Sequence, residues 1–138
     1  MSLDLTSLVR SVEALRRSVD EAAKAMPTLP EGLVETVRAG VIQHFEVAYE
    51  QCWKAMRRWI EVNVGSEMVD GVTRRELFRL AAESRLIGDI EAWMEFHWGR
   101  NHTSNTYDPK IAGEVYAKAR QLVPLAEAFV RAIEARND

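Results

Sequence analysis

Between Pro30 and Gly65 the chain carries one long helical pattern, and that pattern limits the fold more than any other feature. Leu33, Val37, Val41, Phe45, Ala48, Cys52, Met56 and Trp59 (or Ile60) recur at three- and four-residue steps. That spacing puts side chains on one face of an α-helix. Pro30 suits the start, where a missing amide hydrogen costs nothing, and Gly65-Ser66 suits the end. The predicted helix runs from about Glu31 to Val64. Val34, Ile42, Tyr49 and Trp53 widen the stripe, which implies contact on two sides, with a bundle core and with a second subunit. Gly40 costs about 1 kcal/mol relative to alanine inside such a helix. A close helix–helix approach or simple tolerance explains it equally.

The other segments are shorter and read the same way. Leu5, Leu8, Val12, Leu15, Val19 and Ala22 make one stripe from about Asp4 to Ala25, capped by Ser2 or Asp4 and stopped by Pro27 and Pro30. Thr73-Arg74-Arg75-Glu76 is a capping box that opens a helix to about Leu86. Gly88-Asp89 interrupts it, and a second short helix follows from Ile90 to about Asn101 with a broad aromatic surface. Asp108-Pro109 starts the last helix, which runs to about Ala135, with Pro124 expected to kink or interrupt it near Arg120. No strand alternation or repeat appears. Helix, long helix, broken helix and long helix make an all-α, antiparallel up-and-down four-helix bundle with one broken arm.

At 138 residues the chain suits one domain spanning 1–138. With 47% apolar and 28% charged residues it has an ordinary globular balance. A net charge of −3 gives no global footprint for nucleic acid. Arg74, Arg75 and Arg79 form a local basic run that reads best as a solvated helix face. The lone Cys52 cannot form an intrachain disulfide, and no signal core or membrane-length apolar run appears, which together predict a cytoplasmic protein.

Metal chemistry finds no support. His44, His97 and His102 lack zinc-motif spacing, and no Glu-x-x-His occurs. Phosphate loops, nucleophile elbows and Cys-x-x-Cys pairs are missing too, so no cofactor or metal is expected. Glu46, Glu50 and Lys54 follow four-residue steps and can pair along one helix face. If that face turns inward, it signals function; if outward, plain surface ion pairs. The densest polar run is Arg100-Asn101-His102-Thr103-Ser104-Asn105-Thr106-Tyr107. Arg100 offers a fixed fork of donors for phosphate or carboxylate. Asn101, Ser104 and Asn105 can bind a nucleotide, and Tyr107 carries a nucleophilic hydroxyl. The same residues also make an ordinary capped turn.

Three ordered motifs carry a resemblance. The segment Gly40-Val41-Ile42-Gln43-His44-Phe45-Glu46-Val47-Ala48-Tyr49-Glu50-Gln51-Cys52-Trp53-Lys54 resembles the long-helix signature of the nucleotidyltransferase substrate-binding protein family, within the HEPN superfamily of helical bundles. Thr73-Arg74-Arg75-Glu76-Leu77-Phe78-Arg79 and Arg100 to Asp108 resemble its later motifs. The resemblance spans about Leu5 to Phe129. It implies a homodimer, a small minimal nucleotidyltransferase encoded nearby as partner, and a two-component module of toxin–antitoxin type. Many HEPN proteins are metal-independent ribonucleases whose motif is an arginine, a polar residue, a few variable residues and a histidine. In some modules the partner nucleotidylates a tyrosine two positions after that histidine.

Carried over, Arg100 matches the arginine, Asn101 the polar residue and Tyr107 the tyrosine, but Asn105 stands where the histidine belongs. An amide cannot exchange a proton near neutral pH as imidazole does. The expectation is therefore a non-catalytic partner that binds nucleotide or RNA through Arg100, Asn101, Ser104 and Asn105, with Tyr107 as acceptor. The alternative is a ribonuclease toxin in which Arg100 works with His102.

Overall fold

The computed structural model describes residues 2–138, and among them there is no strand. Helix α1 spans Thr6–Ala25, α2 Glu31–Asn63, α3 Arg74–Glu83, α4 Ile90–Asn101 and α5 Pro109–Ala135, with short 3-10 turns at Met26–Thr28, Ser66–Met68 and Thr103–Asn105. The predicted all-helical bundle with its third arm broken in two is the fold observed.

Cross-helix contacts give the directions. Arg16 reaches Glu127 at 2.8 Å, while Leu3 and Asn137 exchange two hydrogen bonds, so α1 and α5 are antiparallel. Tyr49 meets His97 and Glu46 meets Arg100, so α2 and α4 are antiparallel. Trp59 Nε1 donates to the Arg136 carbonyl at 3.1 Å, and Ile42 shares a recess with Ala112, so α2 and α5 run the same way. The arms alternate up and down as expected.

The apolar stripes meet in one cluster. Leu8, Val12 and Leu15 of α1 pack with Phe45, Tyr49, Met56 and Ile60 of α2 and with Leu122, Phe129 and Ile133 of α5. Trp93 of α4 ties the broken arm in. Its ring lies 5.9 Å from Phe78 of α3, 5.4 Å from Phe96 and 6.0 Å from Phe129. Such large buried rings supply much of the apolar area that holds a bundle together.

Most boundaries follow local chemistry. Asp4, Thr73, Asp89 and Asp108 each accept an amide hydrogen from the first turn that follows. Gly65 takes φ 151°, a backbone state that favours glycine, and its amide donates to the Ile60 carbonyl at the end of α2.

Four expectations need correction. The capping box is half made: Thr73 accepts from the Glu76 amide, but the Glu76 carboxylate turns to Arg79 instead of reaching back. Helix α3 stops at Glu83, short of Leu86, because Arg85 adopts φ 62° and the Leu86 amide closes on the Ala81 carbonyl. Helix α5 continues through Pro124, so of the expected kink or interruption it is the interruption that does not occur. Pro124 and Arg120 are both exposed, so water can serve the carbonyl that loses its partner there. Leu33, predicted in the buried stripe, is exposed because α2 outruns the bundle at its start.

Candidate functional site

The predicted turn grows out of the end of α4. Arg100 and Asn101 occupy its last turn, His102 caps it, Thr103–Asn105 form a 3-10 turn, and Tyr107 precedes the Asp108 cap of α5. Because α4 lies antiparallel to α2, the arginine faces the acidic steps of the long helix. Arg100 Nε donates to Glu50 at 3.0 Å and an Nη to Glu46 at 3.1 Å. All three side chains are about one-third exposed or less, at 33%, 30% and 28%. The Thr103 hydroxyl completes the group, 3.0 Å from the Arg100 carbonyl and 3.3 Å from Glu46.

The four-residue acidic pattern therefore turns partly inward, and it is joined to the predicted arginine. Lys54 stays outside as a looser partner of Glu50 at 3.9 Å. Arg100 is thus a cation already matched by two carboxylates within its own chain.

The structure separates His102 from that arginine. The His102 ring stacks on Trp98 at 4.1 Å between centroids, and its Nδ1 lies 2.7 Å from the Trp98 carbonyl oxygen. That contact fixes Nδ1 as the donor. Ser104, Asn105 and Tyr107 are exposed, and Tyr107 is 84% exposed.

Sequence reasoning missed His97 as a site residue. Its Nδ1 lies 2.9 Å from the Tyr49 hydroxyl, and its Nε2 lies 3.3 Å from the Asn101 amide nitrogen. Tyr49, His97 and Asn101 therefore form a chain running from the core to the surface, next to Arg100. Asn101 Nδ2 can only donate, so His97 Nε2 accepts there and Nδ1–H donates to the Tyr49 oxygen. Burial, followed by the positive Arg74, lowers the His97 pKa. Burial raises that of the Tyr49 phenol. The i, i+3 spacing of His97 and Arg100 on one helix was the available signal.

Arg74 stands on the same side. Its guanidinium carbon lies 3.6 Å over the Trp53 ring, a cation–π contact. Trp53 Nε1 and one Arg74 Nη find no hydrogen-bond partner, which that stacking partly offsets. Arg75 pairs with Glu91, and Arg79 with Glu76 and Glu83, all on exposed surface, so the basic run is mostly a solvated face. Among the described residues no group of three or more His, Cys, Asp or Glu is placed to hold a metal ion. His44 is exposed.

Comparison with known proteins decides the family. A model described as "nucleotidyltransferase substrate binding protein like" matches residues 3–135. The chain belongs to this family. A Haemophilus influenzae protein described as the probable ribonuclease HepT is 30% identical over 109 residues, covering 78% of this chain and 75% of that protein. A solved Haemophilus influenzae structure, reported as the fold of a substrate-binding domain of a nucleotidyltransferase, superposes with a TM-score of 0.89 at 26% identity. It covers 95% of this chain and 99% of the other. No described helix of the chain is long and apolar enough to cross a membrane.

Proposed function

We propose that this chain, as one helical-bundle domain, is the non-catalytic partner of a small nucleotidyltransferase in a two-component, toxin–antitoxin-like module, and that Tyr107 accepts the nucleotidyl group. The observation that carries the reading is the 84% exposure of Tyr107. A phenol so presented at a turn reaches another enzyme's active site without any unfolding. In the transfer, the Tyr107 oxygen bonds to the α-phosphorus of a nucleoside triphosphate. The bond from that phosphorus to the β-phosphate bridging oxygen breaks. Pyrophosphate leaves, and the phenolic proton passes to a base of the transferase or to water.

Asn101, Ser104 and Asn105 offer exposed amide and hydroxyl groups for the incoming nucleotide or an RNA. Arg100 joins them only by leaving Glu46 and Glu50. The exposed Leu33, Val47 and Val62 of α2 support a homodimer along the long helix. A triphosphate donor places the pair in the cytoplasm.

Purified protein mixed with the nucleotidyltransferase encoded beside it and ATP should gain nucleotidyl mass. Tyr107→Phe should abolish the gain, and an unchanged gain overturns the acceptor assignment.

The name of the HepT relative favours a second reading, a metal-independent ribonuclease using Arg100 with His102. The stacking of His102 on Trp98, and the two carboxylates on Arg100, weigh against it. It requires metal-free RNA cleavage that is lost in both Arg100→Ala and His102→Ala. A folded dimer that leaves RNA intact removes it.

A further inference from the structure

A recess lies beside Tyr107, between α2 and the start of α5. Ile42 and Ala112, both buried, form its floor, and Glu35, Arg38, Thr106 and Tyr107 stand around it. Glu35 and Arg38 are three residues apart on α2, a spacing at which opposite charges readily pair. Arg79 and Glu76 pair in this way at 2.7 Å. Among the described residues neither Glu35 nor Arg38 makes an ion pair within 4.0 Å. Two opposite charges are thus held around one concavity with their hydrogen-bonding capacity unspent.

Those groups suit the parts of one ligand. A guanidinium fork matches phosphate oxygens in geometry and charge. A carboxylate accepts from the paired hydroxyls of a ribose, the same chemistry that reads ribose in dinucleotide sites. An apolar floor gains by covering a sugar or base face. An isolated phosphate would be repelled by Glu35, and an amine would be repelled by Arg38, so a ligand bearing both phosphate and diol is favoured over either.

We propose that this recess seats a nucleoside monophosphate, with Arg38 donating to the phosphate and Glu35 accepting from the ribose hydroxyls. Its biological use rests on the reading of Tyr107 as acceptor: a nucleotide carried on the Tyr107 oxygen starts at the rim of the recess that Arg38 also lines. The modified side chain then lies against the fold, and the face between α2 and α5 changes shape and charge.

The test is titration of the isotopically labelled protein with AMP, followed by amide and Arg Nε chemical shifts. Millimolar binding is expected, with shifts at Arg38, Ala39, Thr106 and Ala112, and a loss of about tenfold in affinity for Arg38→Ala. A 2′,3′-dideoxy analogue should bind more weakly than AMP to the native protein and no differently from AMP to Glu35→Ala. Absence of shifts in the recess at millimolar AMP, or shifts unchanged in Arg38→Ala, overturns the proposal. The same spectra report whether each variant folds. Mass gain from the transferase without AMP binding removes the recess and leaves the acceptor; AMP binding without mass gain does the reverse.

Discussion

Arg100 Nε, in the last turn of α4, donates to Glu50 Oε1 on α2 at 3.0 Å, joining residues fifty positions apart. Glu46 shares the same guanidinium at 3.1 Å. Removing the cation leaves two carboxylates of similar burial close together, with only the looser Lys54 at 3.9 Å as a partner for Glu50. Arg100→Ala is therefore expected to lower unfolding stability by about 1–2 kcal/mol, the size of partly screened charge-assisted hydrogen bonds. Glu46→Gln should cost less, since Glu50 still holds the arginine. Urea denaturation with an unchanged m-value measures both. A neutral Arg100→Ala would mean that the contact contributes nothing.

Two glycines on helices should respond with opposite signs. A methyl group on Gly40 meets nothing within 4 Å, so Gly40→Ala should stabilise by up to about 1 kcal/mol through helix propensity. A methyl group on Gly99 lands 3.1 Å from the Phe45 ring and 3.4 Å from Lys118 Cβ. Phe45 is fully buried and cannot give way cheaply. Gly99→Ala should therefore destabilise by about 1 kcal/mol, overpacking outweighing propensity. Thermal melts of the two variants side by side settle the contrast.

Arg85 holds a left-handed backbone at φ 62° that lets Leu86 drop into the core. Arginine is strained there and glycine is not. Arg85→Gly should raise stability by about 0.5–1 kcal/mol, an increase visible in the melting temperature.

His97 sets a pH dependence. Its native pKa lies below the ordinary value of 6.5, through burial and then the Arg74 charge. In the window between the lowered value and 6.5 the unfolded chain binds the proton and the native chain does not. Stability is therefore full above about pH 6.5 and declines as pH falls through that window. Tyr49 and Asn101 face the ring through hydrogen bonds, with Glu50 and Arg74 as the nearby charges, and Glu50 opposes the shift. His97→Gln should flatten the decline below about pH 6.5, and NMR titration of the ring should give a midpoint below 6.5.

Cys52 is fully buried in apolar surroundings, which raise its thiol pKa. Reaction with a thiol reagent at neutral pH should follow the rate of global opening and not that of a surface thiol. Rapid labelling of native protein would contradict this burial.

The elements that were legible in the sequence are those whose signals are local. Pro30, Thr73, Asp89 and Asp108 set helix starts, and the three- and four-residue steps of α2 set its core face. What escaped depends on pairing across the chain. Glu46 with Glu50 and the Arg100 turn were each visible, but only packing α4 against α2 shows that they neutralise one another. His97 looked like part of an aromatic surface until Tyr49 arrived from α2. Gly40 raised the question of close helix approach, which Gly99 answers instead, because helix packing and not helix propensity decides where a side chain has no room. Arg85 gave no warning, since nothing about an arginine announces a left-handed turn.

The stacked pair of Trp98 and His102 gives this turn an optical reporter of its own. Indole emission responds to a ring in van der Waals contact with it, and to that ring's withdrawal. With Trp53, Trp59 and Trp93 replaced by phenylalanine, the remaining fluorescence reports whether His102 still lies on Trp98. Any nucleotide, RNA or protein that settles on the turn then announces itself as a change in brightness, before a single assay of its chemistry has been designed.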